Sequence, residues 1–173
     1  RELAFALNMT GFGAGVFMYV GLLALTMARH FLGAPVEGKM TPTLWVHLAP
    51  LSVIPLSMLA LLKTTGDASL LRYGSLVAAA FLGAALWWLV LAVSMTIRNR
   101  RQGKLPFALS WWAFVFPIGA CSVLAYRVSE LLALEVLPLV ASGLTLLALF
   151  VWSAAALGTV RGIRTGAIFA PAL

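Results

Sequence analysis

Charge is the scarcest thing in this sequence. Asp and Glu supply five of 173 residues, and charged residues of both signs make up 10%, where a soluble domain carries about 25%. That excludes an ordinary globular core dressed in a polar skin. Cysteine is nearly absent: Cys121 stands alone, so no intramolecular disulfide and no cysteine metal site can be built, and its apolar setting reads as packing. Histidine occurs twice, as His30 and His47, without the carboxylate spacing of a metal site. No Cys/His or Ser/His/Asp grouping and no phosphate-cradling glycine loop can be assembled. The expectation is therefore no metal, no cofactor and no enzymatic activity.

What fills the space is apolar. Hydrophobic residues make up 62% of the chain and the mean hydropathy is +1.02. Several runs of about twenty residues lack charge, the length a helix needs to cross roughly 30 Å of hydrocarbon. The fold class is all-α: a polytopic membrane protein, one transmembrane domain over 1–173. Five spans, A to E, fall at about 3–28, 43–62, 70–97, 106–126 and 131–160. The net charge of +7 would suggest nucleic acid in a soluble protein. Here the basic residues lie in short loops and follow membrane topology, so the partner is the lipid bilayer and no nucleic acid is expected. Spans A and C are rich in small residues (Gly11, Gly13, Gly15 and Gly21; Ala78, Ala79, Ala80, Gly83, Ala84 and Ala85), which reads as close helix packing. The chain opens on Arg1 without a signal-peptide pattern before span A, which reads as one part of a longer protein.

Loop charge gives an orientation. The A–B connection holds Arg29, Glu37 and Lys39, the C–D connection Arg98, Arg100, Arg101 and Lys104, and the tail Arg161 and Arg164. These carry eight basic residues, against four at the N-terminus and in the B–C and D–E connections, which hold Lys63, Arg72 and Arg127 beside Asp67 and Glu130. By the positive-inside rule the first set is cytoplasmic, so the chain runs from an outside N-terminus to a cytoplasmic C-terminus. Proline alternates as well: Pro50 and Pro55 interrupt B and Pro117 interrupts D, while A and C have no interior proline. Carbonyls freed by proline must face protein or a watery cavity. B and D are accordingly expected to be kinked inner helices, with A, C and E outside them.

Depth singles out one ring. Phe116 lies ten residues beyond Pro106, roughly 15 Å into a core about 30 Å thick, while Pro50 and Pro55 fall roughly 10 and 18 Å along B. A bulky apolar ring beside a kink can close a narrow path by dewetting it. Phe114 is the rival, but two residues is about 200° of helix, so only one of the two faces a lumen; adjacency to Pro117 favours Phe116. Trp111 and Trp112 suit the interfacial aromatic belt, and Trp87 and Trp88 read as packing or lipid-facing. His47 reads either as a satisfied hydrogen-bonding residue or as a proton relay. Asn8, Thr10, Ser52, Ser57, Ser110 and Ser122 are open to two readings, contact with an ion or bonding to a neighbouring helix.

Three segments together carry a family resemblance: Thr41-Pro-Thr-Leu-Trp-Val-His-Leu-Ala-Pro50, Ser110-Trp-Trp-Ala-Phe-Val-Phe-Pro117 and Arg161-Gly-Ile-Arg-Thr-Gly-Ala-Ile-Phe169. In order and spacing the chain resembles the tellurite-resistance/dicarboxylate transporter family, which includes bacterial tellurite-resistance proteins, fungal malate and sulfite transporters and the plant slow-type anion channels. The resemblance implies ten spans in five hairpins around a central pore, proline-kinked inner helices, a phenylalanine gate and a homotrimer. It makes A to E similar to spans six to ten, Phe116 the counterpart of the gate, and a bacterial inner membrane the location. The five preceding spans are missing, which calls for an N-terminal half or other copies to complete the wall.

The function expected is passage of small inorganic or organic anions. In this reading the basic mouth of Arg98, Arg100, Arg101 and Lys104 concentrates them, Phe116 gates, and Pro50, Ser52, Pro55, Phe114 and Pro117 form the kinked lining. A proton-coupled carrier of C4-dicarboxylate, sulfite or tellurite, with His47 as relay, is the alternative. A non-transporting membrane partner subunit is a third.

Overall fold

The computed structural model describes residues 2–33, 36 and 38–166. Arg1 and Glu37, counted among the terminal and loop charges, and residues 167–169 of the closing motif lie outside the described residues. Within them the chain forms α1 (Glu2–Leu32), α2 (Leu48–Thr65), α3 (Ala68–Arg101), α4 (Val115–Leu132) and α5 (Leu137–Thr165). Two 3-10 segments, Gly38–His47 and Leu109–Phe114, lead into α2 and α4. With those lead-ins, five helical spans are long and apolar enough to cross a membrane.

Caps, not hydropathy, set where the helices stop. Gly66 ends α2 in the left-handed region at φ 75°, which glycine adopts without a Cβ penalty. Asp67 then starts α3 by accepting from the backbone N–H groups of Ser69 (2.8 Å) and Leu70 (3.1 Å), satisfying two donors every helix N-terminus leaves open. Span D runs past its expected end at 126, and Arg127 and Glu130 pair at 2.9 Å within the helix. The turn comes only at Ala133, φ 52°, where the Leu134 N–H donates back to the Ser129 carbonyl at 3.2 Å.

Two of the prolines stand beside a change of helix type. Helix type changes just ahead of them, at His47–Leu48 and Phe114–Val115, so Pro50 and Pro117 are each the third residue of an α-helix. There proline withholds the backbone donor that would reach back into the preceding 3-10 turn, and the change of helix type falls beside that gap. Pro55 is buried inside α2, which continues through it.

Hairpins α2–α3 and α4–α5 pack side by side through α2 and α4, and α3 also touches α4. The spans containing α2 and α4 are the most buried of the five, the inner position that the proline alternation pointed to. Helix α1 has no buried residue and leans chiefly on α2. That corrects the close packing expected of span A: a Cβ on Gly11, Gly13, Gly15 or Gly21 would meet nothing within 4 Å among the described residues. In α3, Ala78 and Ala85 are buried, whereas Ala80, Gly83 and Ala84 are exposed. The close approaches lie elsewhere: a methyl at Gly74 would run into Leu62, and one at Gly158 into the Phe107 ring.

Candidate functional site

The two inner helices repeat one plan. Shifting α2 onto α4 so that Pro50 meets Pro117 pairs Trp45 with Trp112, His47 with Phe114 and Ala49 with Phe116. The equivalence extends to bonding. Trp45 donates its indole N–H to the Thr96 hydroxyl on α3 at 3.0 Å, and Trp112 donates to the Thr159 hydroxyl on α5 at 3.1 Å. Each lead-in segment is thereby fastened to the outer helix of its own hairpin.

The same shift aligns two uncovered stripes. On α4 the open or half-open residues Phe116, Ala120, Val123, Arg127 and Glu130 follow the four-three spacing of one helix face; on α2 the counterparts are Ala49, Val53, Leu56, Ala60 and Lys63. At their far end both stripes line a cleft of about 220 Å³ that carries Lys63, Arg127 and Glu130. Hydropathy assigned these three to loops. Helical periodicity counted on from Phe116 is the signal that would have placed Arg127 and Glu130 on its face.

Residues proposed for the lining separate cleanly. Phe116 is 65% exposed, at the head of the α4 stripe, whereas Phe114 is 4% exposed, its ring held edge-on against Trp45 (5.2 Å) and Trp111 (5.9 Å). Ser52 is buried between α2 and α4, donating to the Leu48 carbonyl at 2.8 Å and lying against the Cys121 thiol. Pro55 and Pro117 are buried and Pro50 half-buried. The fold thus brings Ser52, Phe114, Pro55 and Pro117 into the packed interior and leaves Phe116 on the open face.

Arg98, Arg100, Arg101 and Lys104 are exposed together at the C-terminal end of α3 and the turn after it, where helix polarity favours cations. Buried Asn99 ties this turn to the connection after α1, donating to the Val36 carbonyl and the Thr41 hydroxyl, both at 2.9 Å. Both lead-in segments begin at this end of the bundle. His47, half-buried, is not on either stripe: its ring stands 5.0 Å from Trp88, 6.1 Å from His30 and 6.4 Å from Tyr19. Trp88 is buried, and its indole N–H donates to the Leu44 carbonyl at 2.7 Å, while Trp87 is exposed. His30 and His47 stand at opposite ends of a loop, and no periodicity in the sequence signals that they meet.

Residues 3–160 match the family described as SLAC1, voltage-dependent anion channel. Two uncharacterized transporters of Methanocaldococcus jannaschii, MJ0576 and MJ0762, are 31% and 30% identical to the chain over 169 residues, covering 98% of this chain and 49% of each relative. The chain spans about half the length of these curated relatives. No solved structure matches it.

Proposed function

Because the chain belongs to the SLAC1 family of voltage-dependent anion channels, we propose that it supplies part of the wall of an anion path closed by Phe116. The observation that carries this is the exposed Phe116 ring at the head of the α4 stripe. Below it the stripe is apolar until Arg127, and the matching stripe of α2 ends at Lys63. A weakly binding, uncharged passage between two basic ends suits flow of anions better than tight capture. Arg98, Arg100, Arg101 and Lys104 form the mouth at one end, cytoplasmic by the distribution of basic residues, with the N-terminus outside. The cleft that holds Lys63 and the Arg127–Glu130 pair is the mouth at the other.

Completion of the path requires helices beyond the described residues, either a further half matching the unmatched length of the relatives or other copies of the chain, up to a trimer. The test is anion current from the full-length protein in a bilayer before and after Phe116→Ala. The expected outcome is higher basal conductance; an unchanged conductance sinks the gate. A proton-coupled carrier would place its relay at His47, which sits among rings and off the stripes. Uptake into vesicles that ignores an imposed proton gradient removes that reading.

A further inference from the structure

The chain has two histidines, and the fold brings both to one place. His30 lies in the last turn of α1 and His47 ends the segment leading into α2. Their rings are 6.1 Å apart, with planes at 83°. The Trp88 indole stands 5.7 Å from the first and 5.0 Å from the second. His30 Nδ1 lies 2.6 Å from the Thr26 carbonyl oxygen. A carbonyl only accepts, so Nδ1 carries the proton and the lone pair of the neutral ring is at Nε2. That Nε2 is buried with no hydrogen-bond partner, and the hydroxyl of Tyr19, whose ring neighbours His47, is in the same condition.

Leaving two buried polar atoms unsatisfied costs about 1–3 kcal/mol each; a neutral Nε2 is satisfied by a proton donor or a metal ion, and the Tyr19 hydroxyl can either donate or accept. A carbonyl-held Nδ1 with a free Nε2 is the arrangement by which proteins orient a metal-binding imidazole. The surroundings favour positive charge. His30 sits where α1 ends, at the partially negative pole of the helix, and the Trp88 indole, fixed by its bond to the Leu44 carbonyl, stands near-perpendicular to both imidazoles. Two imidazoles on one ion place their centroids roughly 5–6.5 Å apart when metal–nitrogen distances are near 2.0–2.1 Å, the spacing found here.

We infer that His30 and His47 form a binding site for a late first-row transition-metal ion such as Zn²⁺, Ni²⁺ or Cu²⁺, with the Tyr19 hydroxyl as the oxygen donor. No group of three His, Cys, Asp or Glu converges among the described residues, so this chain offers the ion two imidazole nitrogens and one phenol. Bound there, the ion clamps the end of α1, which has no buried residue of its own, to the lead-in of α2.

The test is calorimetric titration of the purified full-length protein in lipid nanodiscs with Zn²⁺ and with Ni²⁺. Saturable binding is expected, weakened about tenfold or more by His30→Ala and by His47→Ala, weakened less by Tyr19→Phe and unchanged by Cys121→Ala. Where a histidine variant fails to fold, Cu²⁺ added to the unmodified protein is examined by electron paramagnetic resonance, with hyperfine coupling to two imidazole nitrogens expected. Absence of saturable binding at millimolar Zn²⁺, binding that survives both histidine variants, or a Cu²⁺ spectrum without imidazole coupling overturns the site.

Discussion

Phe114 and Phe116 are two residues apart and meet opposite surroundings, so the same substitution has opposite consequences. Phe114 fills a niche between Trp45 and Trp111, and Phe114→Ala is expected to cost about 3–5 kcal/mol in chemical unfolding from mixed micelles. Phe116 touches open space on the described face, so Phe116→Ala should leave the unfolding midpoint nearly unchanged while raising conductance. A midpoint drop at Phe116 equal to that at Phe114 would contradict the assignment. Gly158 offers a second contrast, because a side chain there collides with Phe107. Gly158→Ala should destabilise by about 1–3 kcal/mol and be partly rescued by Phe107→Leu, whereas Gly158→Ala behaving like Gly83→Ala would show that the contact is loose. The sequence alone showed that only one of the two phenylalanines can face a lumen. It could not show which is held, because the two tryptophans that hold Phe114 arrive from different segments.

At the scale of elements, the recurring unit is an inner helix fastened to its outer partner by an indole N–H on a threonine hydroxyl. Trp45→Phe and Trp112→Phe each remove one such bond, worth about 0.5–1.5 kcal/mol net. A double-mutant cycle of Trp45→Phe with Thr96→Val should show coupling of that order. Combining Trp45→Phe with Trp112→Phe should show coupling of about 0.5 kcal/mol or more, because Trp45 also packs on Phe114 of the second lead-in; strict additivity would mean that this contact is loose. Proline alternation made the inner helices legible in advance. The 3-10 lead-ins were not, because proline reports a missing donor and not the helix type on either side of it. The end of α4 was hidden for another reason: hydropathy falls at Arg127 and Glu130, yet their ion pair is compatible with helix.

Across the whole molecule, charge gathers at the two ends and the middle carries almost none. Neutralising Arg98, Arg100, Arg101 and Lys104 together, each to Gln, should lower anion conductance at low salt on the order of tenfold, the lower range for electrostatic focusing. The deficit should close as salt shortens the screening length to about 3 Å at 1 M. A deficit independent of salt would place these residues in the fold and not in the mouth. That the chain lies in a membrane was readable from composition alone, since little else accommodates 62% hydrophobic residues with 10% charge. Which faces are covered was not, because lipid and protein neighbours are equally apolar and leave no trace in the residue pattern. The tryptophan fastenings also bear on how the chain is made. Each bond joins the segment before an inner helix to the outer helix that follows it in the chain. A bond of this kind needs only the outer helix of its own hairpin, so α2 and α3 can pair before α4 packs against them.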